Sequence, residues 1–169
     1  PGGKAGRRPD RATIVYSRKL RQLYPDSNIV IGGLEASLRR FAHYDYWDDA
    51  VRPSILVDAQ ADLLLYGMGE KVITQLTQRL RHGEALETIR DLRGCCYLCR
   101  QEEIPQDSVS CASFHKVSEN KESYAKAHQI QTEWQDAVYG KTIVQKQTDT
   151  LYLVQDPPMP SLTREELDE

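Results

Sequence analysis

Asn28-Ile29-Val30-Ile31-Gly32-Gly33-Leu34-Glu35-Ala36-Ser37 and Asp62-Leu63-Leu64-Leu65-Tyr66-Gly67-Met68-Gly69-Glu70 are two copies of one pattern. A run of Ile, Val or Leu, too short for a helix and apolar enough for a strand covered on both faces, meets glycines where the chain must turn. A helical pattern follows each turn. After the second, Val72, Ile73, Leu76 and Leu80 recur at the spacing of one helix face, with Lys71, Gln75, Gln78 and Arg79 between them. Two consecutive strand–helix units with buried strands predict an α/β fold, a doubly wound, mostly parallel, Rossmann-like sheet covered by helices. In such folds function gathers at the carboxyl ends of the strands, where these glycines and carboxylates lie.

Outward from these turns the elements are less regular. Asp10 follows Pro9 as an expected N-cap, and Ala12, Val15, Tyr16, Leu20 and Leu23 form an apolar stripe that ends at Pro25-Asp26-Ser27. A helix is expected over about Glu35–Ala42, and another over Glu70–His82 closed by Gly83. Residues 44–60 have no clean period and make a long connection, the kind of loop that often carries function. A short helical segment over Leu86–Leu92 leads to a cysteine-rich strand at about 94–99. Ser118 is the expected N-cap of a helix running to about Val138. Lys141–Gln145 and Leu151–Gln155 predict a C-terminal β-hairpin around Thr148-Asp149. Pro157, Pro158 and Pro160 then mark a linker. The expected organisation is a basic, glycine-rich loop over 1–9, an α/β domain over 10–155 and a proline-rich, acidic linker over 156–169.

At 169 residues the chain is long enough for one core. It opens on Pro1 rather than Met and stops amid acidic residues at Glu169, as expected of a piece of a longer protein. No stretch approaches a membrane span and no signal peptide is visible, so a soluble, cytoplasmic protein is expected. The net charge of −3 is unevenly spread. Lys4, Arg7, Arg8, Arg11, Arg18, Lys19 and Arg21 face Asp10 alone in the opening segment. No aromatic residue interleaves its first basic cluster, so a base-stacking platform, and with it nucleic acid as a partner, is not expected.

Cys95, Cys96, Cys99 and Cys111 do not form a disulfide framework, since three crowd into five residues. Cys96-x2-Cys99 invites a zinc reading. On a strand, however, positions 96 and 99 point to opposite faces, and no second Cys or His pair follows. Buried thiols are the favoured expectation, with no metal site.

Three groups of residues are candidates for a site. Gly32-Gly33 and Gly67-x-Gly69 bring backbone N–H groups within reach of a ligand, or simply permit tight helix–strand packing. Glu35 and Glu70 follow them in or near a first helical turn. There they either favour the positive helix end or point into a crevice toward hydroxyls or a cation. With Ser37 these are the candidate cofactor-binding residues. Arg39, Arg40, His43, Tyr44, Asp45, Tyr46 and Trp47 are the candidate substrate or interface residues: cations, an imidazole and aromatics, of the types enriched at buried interfaces. No nucleophile motif accompanies His43, so no catalytic residue is assigned.

IVIGGLEASLRRFAHYDYWD at Ile29–Asp48, ADLLLYGMGEK at Ala61–Lys71, the opening GGKAGRRPDRATIVYSRKLRQLYPD and the closing LVQDPPMPSLTREELDE resemble the N-terminal half of YgiQ-type radical S-adenosylmethionine (SAM) proteins. More broadly, the GG-x-x-A-S and G-x-GE turns are similar to the cobalamin-binding-like domain that precedes many radical SAM barrels. The resemblance implies a parent enzyme in which a 4Fe–4S cluster, held by Cys-x3-Cys-x2-Cys, cleaves SAM to generate a radical on an unidentified substrate. Here Cys95-x3-Cys99 has the first spacing, but Glu102 stands where the third ligand belongs. The Asp-x-His-x2-Gly loop of cobalamin domains is also missing. The resemblance therefore implies an accessory domain with no cofactor of its own, whose partner is the barrel of the same chain. The alternative is a non-catalytic module holding a nucleotide-like ligand at the glycine turns.

Overall fold

The computed structural model describes Gly6 and residues 9–168. Its elements are α1 (Ala12–Leu23), β1 (Val30–Ile31), α2 (Gly33–Leu38), β2 (His43–Asp45), β3 (Ala50–Arg52), α3 (Ile55–Ala59), β4 (Leu63–Leu65), α4 (Glu70–Arg81), β5 (Cys95–Cys99), β6 (Val109–Ser110), α5 (Phe114–Glu119), α6 (Lys121–Trp134), β7 (Ile143–Lys146), β8 (Tyr152–Gln155) and α7 (Arg164–Asp168). The basic loop expected over 1–9 lies, apart from Gly6 and Pro9, outside the described residues.

Six strands form one sheet in the order β1-β4-β5-β8-β7-β6, and β2 and β3 form a separate antiparallel hairpin. The fold is α/β and Rossmann-like, with helices on both faces. Strand residues alternate between two cores. Leu64, Cys96, Ile143 and Leu153 pack with Ile14, Ala36, Phe41, Ile55 and Leu56 on one face. Leu63, Leu65, Cys95, Tyr97, Cys99, Val144 and Val154 pack with Val72, Leu76, Leu86, Ile89 and Leu92 on the other.

The two strand–helix units give the parallel β1–β4 pair, and β6–β7 is also parallel. The pairs β4–β5, β5–β8 and β7–β8 are antiparallel. The reason lies after α4, which runs from the carboxyl edge of the sheet back toward its amino edge. The segment 82–94 then climbs the same face, burying Leu86, Ile89 and Leu92. β5 thus enters from the carboxyl edge, with Cys95 opposite Leu65. The C-terminal hairpin forms as expected, with Ile143 opposite Gln155 and Lys146 opposite Tyr152.

Several local expectations are corrected. Arg11, not Asp10, occupies the N-cap of α1, and no side chain caps it there. α2 is shorter than expected and stops at Leu38. Leu86–Thr88 forms only a 3-10 turn. The helix expected from Ser118 is two helices: Ser113 caps α5, Asn120 caps α6, and the chain is extended at Asn120 between them. Residues 44–60 hold the β2–β3 hairpin and α3, which is capped by the Ser54 hydroxyl.

Two buried glutamines, Gln145 on β7 and Gln147 just past its end, fix where that hairpin sits. Gln145 Oε1 accepts from the Ala42 amide at 2.8 Å, and Gln147 Oε1 accepts from the Ser54 amide at 2.8 Å. Gln147 Nε2 donates to Gln145 Oε1, and Gln145 Nε2 donates to the Ala112 carbonyl, each at 2.9 Å. Both ends of the 42–54 segment are thereby tied to the sheet by amides that burial makes costly to leave unpaired.

Candidate functional site

The glycine turns lie together at the carboxyl edge of β1 and β4. A Cβ on Gly32 would stand 3.3 Å from the Leu65 carbonyl oxygen, so the first turn passes against the end of β4 closely enough that a side chain there would press on its backbone. Gly33 and Gly67 have φ of +82° and +71°, in the region that favours glycine. Glu35 faces α1: Thr13 Oγ1 donates to it at 2.6 Å and Arg39 lies 3.4 Å away one helical turn on. Glu70 is exposed at the start of α4. Their helices lie on opposite faces of the sheet, so the two carboxylates do not converge on one crevice. Ser37 is half-buried in α2, and its carbonyl accepts from Arg40.

Asp45 is the anchor of the His43–Asp49 stretch. Its side chain is buried, yet it is charged, because Arg11 donates to both carboxylate oxygens at 3.1 Å. Arg39 lies 3.9 Å away, and the Trp47 amide donates to Oδ1 at 3.0 Å. The Arg11 fork, opposed by burial and helped by the Trp47 and Asp48 amides, holds the Asp45 carboxyl down at about 2. The network continues outward: Arg11 pairs with Asp48 at 2.8 Å, Arg52 with Asp48 at 2.6 Å, and Arg52 with Asp58 at 2.9 Å. Asp45 is therefore structural. It joins the start of α1 to the β2–β3 turn.

That turn carries the aromatic residues outward. Tyr46 and Trp47 stack with centroids 4.7 Å apart and are 67% and 58% exposed. Tyr44 is also exposed and donates from its hydroxyl to Asp49 at 2.7 Å. Leu34 and Leu38 project from α2 beside the first glycine turn, and Met68 from the second, all exposed.

Arg40 and His43 go elsewhere, into a cleft between the segment 38–43 and α6. Arg40 is held by the Ser37 carbonyl, the Gln155 side-chain oxygen and, at 2.7 Å, the Gln135 oxygen. Its guanidinium lies 4.9 Å over the Tyr66 ring. His43 Nδ1 lies 3.1 Å from the Phe41 carbonyl, and burial lowers the imidazole's pKa, favouring the neutral ring. The candidate residues 39–47 thus divide three ways, into a buried ion pair, an exposed aromatic surface and a cleft. The sequence reading missed Arg11, Gln145 and Gln155, whose roles come from contacts 34 to 115 residues away.

The cysteines alternate as a strand requires: Cys96 faces one core, Cys95 and Cys99 the other. Burial pushes Cys95 and Cys111 up to about 12 and Cys99 to about 11, and raises Cys96 well above the ordinary thiol range. Thiols on opposite faces, disfavoured as thiolates, do not fit an iron–sulfur cluster. Among the described residues no three His, Cys, Asp or Glu side chains are grouped to hold a metal ion. No described helix is long and apolar enough to cross a membrane.

A two-faced α/β sheet with glycine turns gathered at the carboxyl edge of its parallel pair defines the Rossmann-like class. Within that class, the chain belongs to the Radical SAM N-terminal family, which matches it over residues 1–169. It is 54% identical over its whole length to a UPF0313 protein of Clostridium botulinum (strain 657 / Type Ba4), covering 26% of that protein. It is 52% identical to one from Clostridium perfringens (strain ATCC 13124), with 99% of this chain and 25% of the relative covered. With the UPF0313 protein of Thermotoga maritima the identity is 48%, over 99% of this chain and 29% of the relative. UPF0313 proteins are the YgiQ-type family. The chain thus spans about a quarter of the length of the curated relatives it matches. No solved structure matches it significantly.

Proposed function

We propose that this chain is the accessory N-terminal domain of a radical SAM enzyme and that it docks on the catalytic barrel through its exposed aromatic turn. The family match supports the parentage. In that reading the parent uses a 4Fe–4S cluster, held outside these 169 residues, to cleave SAM reductively and generate a radical on its substrate. This domain shapes the substrate side of the barrel mouth and bears no cluster ligand. The observation that carries the docking is the stacked Tyr46–Trp47 pair. It stands in solvent although the backbone beneath it is locked by the buried Asp45–Arg11 ion pair. A rigidly presented aromatic pair suits an interface, where Tyr, Trp and Arg are enriched and little side-chain entropy is lost on binding.

The test is acrylamide quenching of Trp47 in a Trp134→Phe background. Trp47 should be quenched readily in the 169-residue chain and severalfold less in the full-length protein. Equal quenching in the two would remove the docking claim.

A further inference from the structure

We propose that the cleft between the segment 38–43 and α6 is a binding site for a small organic anion, with Arg40 as its charge anchor. The cleft has a volume of about 300 Å³ and is lined by Arg40 and His43 on one wall and by Tyr124, His128, Gln131 and Gln135 on the other. The residues of α6 that face it recur at helical spacing, so a single face of that helix is turned toward it. No aspartate or glutamate lines it.

Arg40 distinguishes this cleft from an ordinary polar groove. Arg11, Arg18, Arg21, Arg39, Arg52 and Arg79 each lie within ion-pair distance of a carboxylate. Arg40 has no such partner among the described residues, a lack it shares with Arg81, Arg90, Arg93, Arg100 and Arg164, and it lines a cleft without a carboxylate. Its three acceptors, the Ser37 carbonyl and the Gln135 and Gln155 side-chain oxygens, are neutral, and they fix the guanidinium without cancelling its charge. Beside it the Gln155 amide, fully buried, gives its oxygen to Arg40 Nε and leaves its Nε2 donor without an acceptor. Because Arg40 requires an oxygen at that position, the amide does not gain by turning over. Gln155 does not itself line the cleft, so the positive charge offered there is that of Arg40, fixed by neutral acceptors. That arrangement suits a carboxylate or phosphate oxygen, which a planar guanidinium recognises through paired hydrogen bonds. The volume lies at the small end of ligand sites and matches a compact anion better than a nucleotide. The site is independent of barrel docking, and either reading stands without the other.

Proton NMR of the four histidines in the 169-residue chain tests this, with inorganic phosphate and succinate as separate probes at constant ionic strength. The expected result is a saturable shift of the His43 and His128 ring protons with one or both probes, whereas His82 and His115, outside the cleft, stay still. A response to phosphate alone identifies a phosphate monoester as the natural class, and to succinate alone a carboxylate. Chloride should produce no saturable shift. Arg40→Gln should abolish the response and Arg40→Lys should restore part of it. If Arg40→Gln does not fold, His128→Ala, on the exposed side of α6, should weaken binding several-fold. Absence of saturation, equal shifts at all four histidines, or a response unchanged in Arg40→Gln or in His128→Ala would overturn the assignment.

Discussion

Raising the pH from 5 to 8 is expected to weaken this domain, and Asp156→Asn is expected to remove most of that loss. Asp156 follows β8 and is buried, with Oδ1 accepting from Thr142 at 3.3 Å and Oδ2 without a partner. Burial outweighs the Thr142 hydrogen bond and lifts the carboxyl from its ordinary 3.8 to about 7. Because the folded state binds this proton more tightly than the unfolded chain, stability is fullest below about pH 4. It declines as pH rises, and levels off above about 7. The whole difference between 3.8 and about 7 corresponds to about 4 kcal/mol as an upper figure, of which roughly 2.5 kcal/mol falls between pH 5 and pH 8. His43 works in the opposite sense, since burial lowers its pKa and its folded form gains as pH rises toward the unfolded value. The comparison that isolates Asp156 is therefore the wild type against Asp156→Asn, by urea unfolding at pH 5 and pH 8. The stability advantage of the variant over wild type should be clearly larger at pH 8 than at pH 5. An unchanged slope would show that Asp156 is ionised in the folded protein at modest cost.

The second large effect concerns Asp45. Asp45→Ala removes the bidentate partner of Arg11, leaving Asp48 as its remaining carboxylate, and removes the acceptor of the Trp47 amide. The expected loss is about 2–3 kcal/mol, toward the lower end for a broken buried pair because Arg11 is partly exposed. Asp45→Asn keeps the acceptor for the Trp47 amide and removes only the charge, so it should cost less. Combining Asp45→Ala with Arg11→Met should cost less than the two single changes added together, since no unpaired charge remains. The pH sign is opposite to that of Asp156. With Asp45 held down at about 2, its contribution is complete above the ordinary carboxylate range and fades as pH falls toward 2. Additive single and double variants would mean that Arg11 and Asp45 are not coupled.

The parts of the fold legible in the sequence are those governed by local pattern. The two strand–glycine–helix units, the stripe on α4 and the C-terminal hairpin depend on neighbours in the chain, and they stand where period and glycine placement put them. The β2–β3 hairpin was hidden. Its strands, His-Tyr-Asp and Ala-Val-Arg, hold one Val and no Ile, and its position comes from Gln145 and Gln147, about a hundred residues later. The reversal of β5 was equally illegible, because it follows from how far the segment 82–94 travels on the sheet. Ser118 misled because a serine near acidic residues resembles a helix start. The true break is the extended backbone at Asn120, whose side chain accepts from the Ser123 amide. At the site, sequence singled out the right stretch but not its division. Arg39 pairs with Glu35 one helical turn away, whereas the neutral acceptors that hold Arg40 include Gln135 and Gln155, about a hundred residues on and invisible to local pattern.

The placement of the cysteines has a practical consequence. With thiols divided between the two cores and reluctant to ionise, the native domain is nearly silent to alkylating reagents, while any opened form is reactive. Cys95, Cys96 and Cys99 face the two cores from the central strand β5, so labelling each requires the elements packed over its face to lift from the sheet. The protein thus contains its own clock for opening. The rate at which iodoacetamide consumes these thiols measures how often each core opens, Cys96 reporting one face and Cys95 and Cys99 the other, and Cys111, beside the edge strand β6, times the fraying of that edge separately.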